Sequence, residues 1–547
     1  MRTNPTGLRL VHLGRVRPGA AFSALFVLYL LLLGTWALAT PLGQTPDEWA
    51  HVFRAGGVVD GQVMIAAPGP IDAHVGDPVR ISRKLAERNI DTRCFRFRPT
   101  VAVSCAKPSN GSAEPVFAAT TAGRYPPFYY ALVGWPLRFG SGDTSLYGMR
   151  LITALLSALF LASGATAALR LRAGLAFTGF VVAVTPMVAY LAAMINPNGL
   201  EIAAASSLWA NLLLWLESAS PPGRRAGRIG AAVAASTMVL CRTISIVWVA
   251  VAVASTVVLV RRHWVRSELS GRRAVRPVAA VLIATIVSGV WALDSREFQI
   301  APIVSPRPRP NHSLWTSMTR AYHVLPHWLH EAIADLGWLD TPVSQATYRA
   351  YYAAIIVLAV AALLGASGGR WREGLAAFLA VTLTTMVTIY LAAANANSLK
   401  LSFWQGRYSL PMAVGIPILL GFAAGTWRRA SWLAGLFALA AVMSSTVVQA
   451  TSFLKFFRRN SVGVSRPLDL YGGWQPPLGV LPLTVVLIAA SGLLGGLAVW
   501  RAVSSEDPSG IAQTDLGPDS PRRFTGRRRP STDDRVAVDA LGRGASP

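Results

Sequence analysis

Charge is scarce in this sequence. Of 547 residues, 14% are Asp, Glu, Lys or Arg and 53% are hydrophobic. The mean hydropathy is +0.43, too apolar for a soluble globular or disordered chain. Acidic residues are the scarcer sign, 26 against 51 Lys and Arg, for a net charge of +25. That excess would point to nucleic acid only if it formed one accessible patch. It is instead scattered in small groups between apolar runs, which argues against a nucleic-acid partner. Three cysteines exclude a disulfide scaffold and a four-cysteine zinc site, and the eight histidines contain no HExxH pair.

What the chain has in abundance is apolar length. Crossing about 30 Å of hydrocarbon takes roughly 20 helical residues. Runs of that order occupy 21–40, 151–169, 173–195, 274–293, 350–368, 374–394, 409–426, 431–452 and 478–500, with a further one at 198–217 that carries Glu201. The stretch 229–260 is interrupted by Cys241-Arg242-Thr243 and flanked by Arg224, Arg225 and Arg228 on one side and Arg261, Arg262 and Arg266 on the other. If both flanks are cytoplasmic, it must enter and leave on the same side as a hairpin of two short helices. The positive-inside rule favours that reading and gives about twelve crossings with both termini inside.

The expected fold is therefore an all-α polytopic integral membrane protein of the cell membrane. Residues 1–20 form a basic cytoplasmic N-terminus, 21–500 the membrane domain and 501–547 a disordered basic cytoplasmic tail whose Arg522–Arg529 cluster can rest on anionic headgroups. The first run ends in Ala37-Leu38-Ala39, which resembles a cleavage site, but its apolar core exceeds a signal peptide's and it reads as a retained helix. Two large extracytoplasmic loops follow, 41–146 and 294–349, with shorter ones at 395–408 and 453–477.

Polar clusters gather in those loops. In Thr45-Pro46-Asp47-Glu48-Trp49-Ala50-His51-Val52-Phe53-Arg54, Thr45 or Asp47 can cap a helix with Pro46 near its first turn. Helical spacing then puts Asp47, His51 and Arg54 on one face, leaving Trp49, Val52 and Phe53 for the bilayer surface. Acidic residues there also serve simply to offset the helix dipole. Gly123-Arg124-Tyr125-Pro126-Pro127-Phe128-Tyr129-Tyr130 reads as a membrane-entry turn. Asp335-Leu336-Gly337-Trp338-Leu339-Asp340-Thr341-Pro342 and Trp404-Gln405-Gly406-Arg407-Tyr408 complete the set, the last offering a guanidinium fork suited to phosphate.

Together with Arg150-Leu151 and Asn196-Pro197, these clusters occur in an order that resembles the predicted-membrane-protein family called domain of unknown function 2142, over about residues 22–500. One departure is Asn198, where the family pattern carries an acidic residue; Glu201, a turn on, is the nearest carboxylate. That family's plan is similar to the GT-C membrane glycosyltransferases. The resemblance implies a GT-C-like bundle and transfer of a sugar from a polyprenyl-phosphate carrier to an acceptor of unknown identity on the outer face. A carboxylate would accept the acceptor's proton while basic groups stabilise the departing phosphate.

On that reading Asp47 is the general base and Glu48 either a support or a metal ligand, the two carboxylates being able to share Mg²⁺ or Mn²⁺. Arg407 is the first choice for the lipid phosphate, then Arg54 or Arg124. Arg242 is a further candidate, because an arginine between apolar helices needs a partner. His51, Tyr125 and Tyr408 complete the expected substrate-binding set. Cys94 and Cys105 can close a disulfide in an oxidising compartment, and Cys241 reads as an inert thiol. The rival readings are a transporter or flippase of lipid-linked saccharide and a non-catalytic accessory of cell-envelope polysaccharide assembly. A transporter would bury ionisable groups at mid-membrane, whereas these spans are nearly charge-free.

Overall fold

In hydrocarbon every backbone N–H and C=O must be satisfied within the segment, so long apolar runs become helices. The computed structural model describes residues 17–64, 76–107, 111–270, 272–297, 312–399, 404–425 and 430–504. Most of the N-terminal segment, including Arg2, Arg9 and Arg15, lies outside the described residues, as do Arg428, Arg429 and nearly all of the tail, including Arg522–Arg529.

Helix α1 (Pro18–Ala39) leads into a loop layer made of α2 (Glu48–Val59), α3 (Arg83–Asp91), α4 (Phe128–Val133) and an antiparallel pair, β1 (Asp77–Ser82) with β2 (Pro115–Thr120), in register from Asp77↔Thr120 to Ser82↔Pro115. Next come α5 (Asp143–Arg170), α6 (Ala176–Ala183), α7 (Pro186–Leu191), α8 (Pro197–Glu217), α9 (Pro221–Cys241) and α10 (Ser245–Thr256). Short α11 (Arg262–Trp264) and then α12 (Val275–Asp294) precede α13 (Leu314–Ala334). After β3 (Asp335–Leu336) and β4 (Thr341–Pro342) follow α14 (Gln345–Ser367), α15 (Trp371–Leu399), α16 (Leu410–Ala413), α17 (Gly415–Ala423), α18 (Ser431–Ser461) and α19 (Val480–Val503).

Among the described residues, nine helices are long and apolar enough to cross a membrane. Three segments behind the expectation of about twelve fall short of that standard for identifiable reasons. The 173–195 run breaks at Thr185-Pro186, since proline cannot donate to the preceding turn. Gln449 Nε2 takes up the freed Val184 carbonyl at 2.8 Å, and Thr185 Oγ1 accepts from the Val188 N–H at 3.2 Å. Helix α9 opens with three arginines, and α10 is too short.

The 229–260 stretch turns back at Arg242, as the hairpin reading requires. In the first turns of α9, Arg224 and Arg228 pair with Glu268, and after α10, Arg261 lies 3.8 Å from Glu217 and Glu373, so both flanks share one end of the bundle. At that same end Arg501 donates to the Leu169 and Leu171 carbonyls and Arg370 to those of Phe422 and Ala423. The other end collects the start of α2, the starts of α5 and α8, the α9–α10 turn and residues 404–409.

Helix α8 is buried almost along its whole length. Around it, close packing depends on small residues: a Cβ at Gly415 would sit 2.3 Å from the Trp209 ring. Outward faces such as Ile283, Ile286 and Val290 of α12 remain exposed, as lipid-facing surfaces do.

One expectation for the loop layer is corrected. Trp49, Val52 and Phe53 do not lie on a bilayer surface. They are buried with Val79, Ile81 and Tyr130, because β1–β2 and α4 cover that face of α2.

Candidate active site at the loop end of the bundle

Asp47 is the residue before α2, and its φ of +64° puts it in the left-handed region that Asp and Asn tolerate better than most residues. The expected side-chain cap is absent: the carboxylate turns away from the helix, whose first turn closes on the Asp47 carbonyl through the His51 N–H at 3.1 Å. The side chain is surrounded by protein, yet 43% of its surface is reachable, so it lines a recess.

Facing it is Arg407, on the single turn Gly406–Ser409 that leads into α16. One guanidinium nitrogen donates to Asp47 Oδ2 and to the Tyr408 hydroxyl. Arg407 is 2% exposed, and its Nε and Nη1 are buried without a protein partner. Burial pushes the Asp47 carboxyl up, but the Arg407 guanidinium beside it, helped by His51 and Arg242, holds it below the usual range.

Arg242, in the α9–α10 turn, closes a third side. Its guanidinium lies 5.6 Å from the Tyr408 ring centroid and 5.8 Å from that of Tyr125, and it pairs with Glu201 at 3.0 Å. Glu201 also accepts from Asn198 Nδ2 and Trp248 Nε1, both at 2.9 Å, and from the Ser245 hydroxyl. Asn198 is thus a donor to Glu201, which accounts for an amide at a position where an acid was expected. His51 Nδ1 lies 2.8 Å from the Tyr130 hydroxyl. Burial, reinforced by Arg407 and Arg242 and only partly opposed by Asp47, pushes its pKa down to about 3, so the ring is neutral.

Four expectations are corrected by the geometry. Glu48 points the opposite way from Asp47: it grips Arg150 with both oxygens at 2.7 Å and accepts from the Gly43 N–H at 2.9 Å, with both side chains at most 2% exposed. It is therefore neither available for catalysis nor able to share a metal with Asp47, and among the described residues no group of three His, Cys, Asp or Glu side chains could hold a metal ion. Arg54 donates to the carbonyls of Gln62, Val63 and Tyr125, tying α2 to its surroundings, and Arg124 pairs with Asp77 at 3.2 Å. Both serve the loop layer instead of the recess. Of the expected set, Asp47, His51, Tyr125, Arg242, Arg407 and Tyr408 come together.

Other sequence clusters act as supports. Trp338 Nε1 donates to the Gly43 carbonyl at 3.0 Å, and Asp340 pairs at 2.7 Å with Arg459, a fully buried arginine that also donates to the Phe95 carbonyl. Phe95 belongs to the loop closed by the Cys94–Cys105 disulfide, and Cys241 is a buried free thiol. Sequence reasoning missed Arg459, because Phe457-Arg458-Arg459 reads as an ordinary basic helix end. It also missed Glu331, a buried carboxylate on α13.

Over residues 30–416 the chain matches the family described as "Predicted membrane protein (DUF2142)". A comparison with curated proteins finds no match. Among solved structures, ArnT from Cupriavidus metallidurans in the apo state is similar at a TM-score of 0.42 and 15% identity, covering 89% of this chain and 78% of that one. ArnT bound to undecaprenyl phosphate scores 0.38 at 15% identity, covering 89% and 77%.

Proposed function

The chain belongs to the DUF2142 family of predicted membrane proteins, and we propose that it is a GT-C-like glycosyltransferase that moves a sugar from a polyprenyl-phosphate carrier to an acceptor hydroxyl. The observation that carries this reading is the Asp47–Arg407 pair in a reachable recess, with two further Arg407 nitrogens buried and unpartnered. A carboxylate and a guanidinium with spare donors are the two groups that such a transfer requires.

In the proposed step the acceptor oxygen attacks the anomeric carbon as its proton passes to Asp47. The bond from that carbon to the phosphate oxygen breaks, and the lipid phosphate leaves with the electron pair. Arg407 and Arg242 supply the positive charge that the departing phosphate needs. Before donor binds, Arg407 holds Asp47 as a weak base. A phosphate drawing Arg407 to itself leaves Asp47 in a buried setting that raises its basicity, so the base is armed when donor is present. Neutral His51 orders the wall behind it through Tyr130.

The recess is assigned to the outer face of the cell membrane. The opposite end, bearing Arg170, Arg172, Arg224, Arg225, Arg228 and Arg261 near the helix ends, has the character of a cytoplasmic face.

The test compares lipid-linked sugars in cells lacking the protein with cells carrying Asp47→Asn at matched expression. Accumulation of the same polyprenyl-phosphate sugar in both supports the transferase. If Asp47→Asn behaves as wild type while the deletion has a phenotype, the catalytic assignment is wrong, and a transporter or scaffold takes its place.

A further inference from the structure

Arg407 meets the recess with a guanidinium that is only partly tethered, so its position depends on its backbone. That backbone is held from α13. Glu331, 4% exposed, accepts the Gly406 N–H on Oε2 at 2.6 Å, while its Oε1 lies 3.1 Å from Nε2 of His327, one turn earlier and largely exposed. The fit at Gly406 is close: a Cβ there would lie 2.0 Å from the Trp328 carbonyl oxygen and 2.9 Å from the Glu331 Cβ. Glycine is therefore needed so that the 405–407 backbone can lie against α13, and the buried carboxylate fixes where along the helix it lies.

Resting on the transferase reading above, we propose that Glu331 is a positioning residue that sets the phosphate-facing guanidinium of Arg407 through the Gly406 backbone. A backbone N–H donating to a carboxylate is a charge-assisted bond, stronger than the neutral kind, and an arginine on the next residue inherits the register it fixes. Small misplacements of such a group are costly, because a phosphate must meet the guanidinium along its donor directions. The His327 contact keeps the carboxylate from rotating off Gly406 and ties the arrangement to the surface.

The experiment uses the full chain in nanodiscs, with hydrogen exchange of the 404–410 segment read alongside binding of a polyprenyl monophosphate in the same discs. Glu331→Ala is expected to speed exchange in that segment and to weaken phosphate binding about tenfold or more, the scale of a lost charge-assisted hydrogen bond. Glu331→Gln, whose amide oxygen still accepts from Gly406 but in a weaker neutral bond, falls between wild type and Glu331→Ala in both. Arg407→Ala loses binding with exchange unchanged.

A folded Glu331→Ala protein with unaltered exchange and binding overturns the proposal. So does a Glu331→Gln protein as damaged as the alanine variant, since charge and not the hydrogen bond would then be the cause. If Glu331→Ala does not accumulate, His327→Ala decides: it should raise exchange in 404–410 and weaken binding about threefold, the scale of one modest hydrogen bond, and no change in either overturns the idea. If wild type and Arg407→Ala bind the phosphate alike, the transferase reading fails, while the exchange measurement still decides what Glu331 does.

Discussion

Arg407 donates to the carboxylate of Asp47 across 360 positions of sequence, and this bond sets the basicity of the site. A carboxyl held below its usual range, as Asp47 is by that guanidinium, is ionised throughout the neutral region. Wild-type kcat/KM, which reports the free enzyme, should therefore show no acidic limb above about pH 4, the ordinary carboxylate range. His51 adds no limb near neutrality, its pKa being pushed down to about 3. In Arg407→Gln the positive charge is gone, burial prevails and the Asp47 pKa rises, so the required ionised form is lost at higher pH. The residual activity of that variant should show an acidic limb displaced upward in a kcat/KM profile. An unmoved limb would mean that Asp47 is not the titrating base.

Adjacent carboxylates with opposite duties can be separated by stability. Glu48 and Arg150 are both buried, and removing one member of such a pair strands the other at a cost of about 3–5 kcal/mol. Glu48→Ala should accumulate poorly or melt well below wild type in detergent, whereas Asp47→Asn, whose amide oxygen can still accept from Arg407 at a half-exposed position, should melt much closer to wild type while losing activity. A stable, inactive Glu48→Ala protein would return Glu48 to the chemistry.

These two neighbours show where sequence stops being informative. The apolar runs set the helices, since hydrocarbon allows few alternatives, and the arginine flanks of 229–260 pointed to the turn at Arg242. Asp47, Arg407, Arg242, Tyr125 and Tyr408 could be singled out because polar residues at span ends are few. Which way each one turns was not legible. Glu48 departs from Asp47 because Asp47 takes a left-handed φ that no helical-wheel argument anticipates. Trp49, Val52 and Phe53 carry the same apolar signature whether they face lipid or a protein layer, and the strands that cover them pair across more than thirty residues. Arg54 and Arg124 looked like phosphate ligands for want of any sign that carbonyls and Asp77 would claim them.

The disulfide loop should matter for stability more than for chemistry. Closing the Cys94–Cys105 loop, whose cysteines are eleven positions apart, is worth about 3 kcal/mol in the chain-entropy model. The loop is also pinned by Arg459 through Phe95 and Val101, and Arg459 is held in turn by Asp340. Cys94→Ser should lower the melting temperature and should not change donor binding at temperatures where the protein stays folded. A lost affinity without a lower melting temperature would place the loop in the binding site.

Asp335 offers a stability test with a definite sign. Its carboxyl is pushed up to about 7, first by burial and then by the nearby Glu331 and Asp340, against the pull of His327 and the Thr341 backbone N–H. Its Oδ1 is buried and unpartnered. A carboxyl whose folded pKa lies above its unfolded value, near 4, favours the folded state most when protonated. That contribution is complete below about pH 4 and drains away as pH rises toward 7. Asp335→Asn cannot ionise and so escapes the loss. Its melting temperature should match wild type near pH 4, exceed it increasingly between about 4 and 7, and keep a constant lead above that. A lead that is independent of pH would mean that Asp335 does not titrate in this range. A lead that shrinks as pH rises would mean that a cation, most directly Lys455, whose field reaches this carboxyl, stabilises its ionised form.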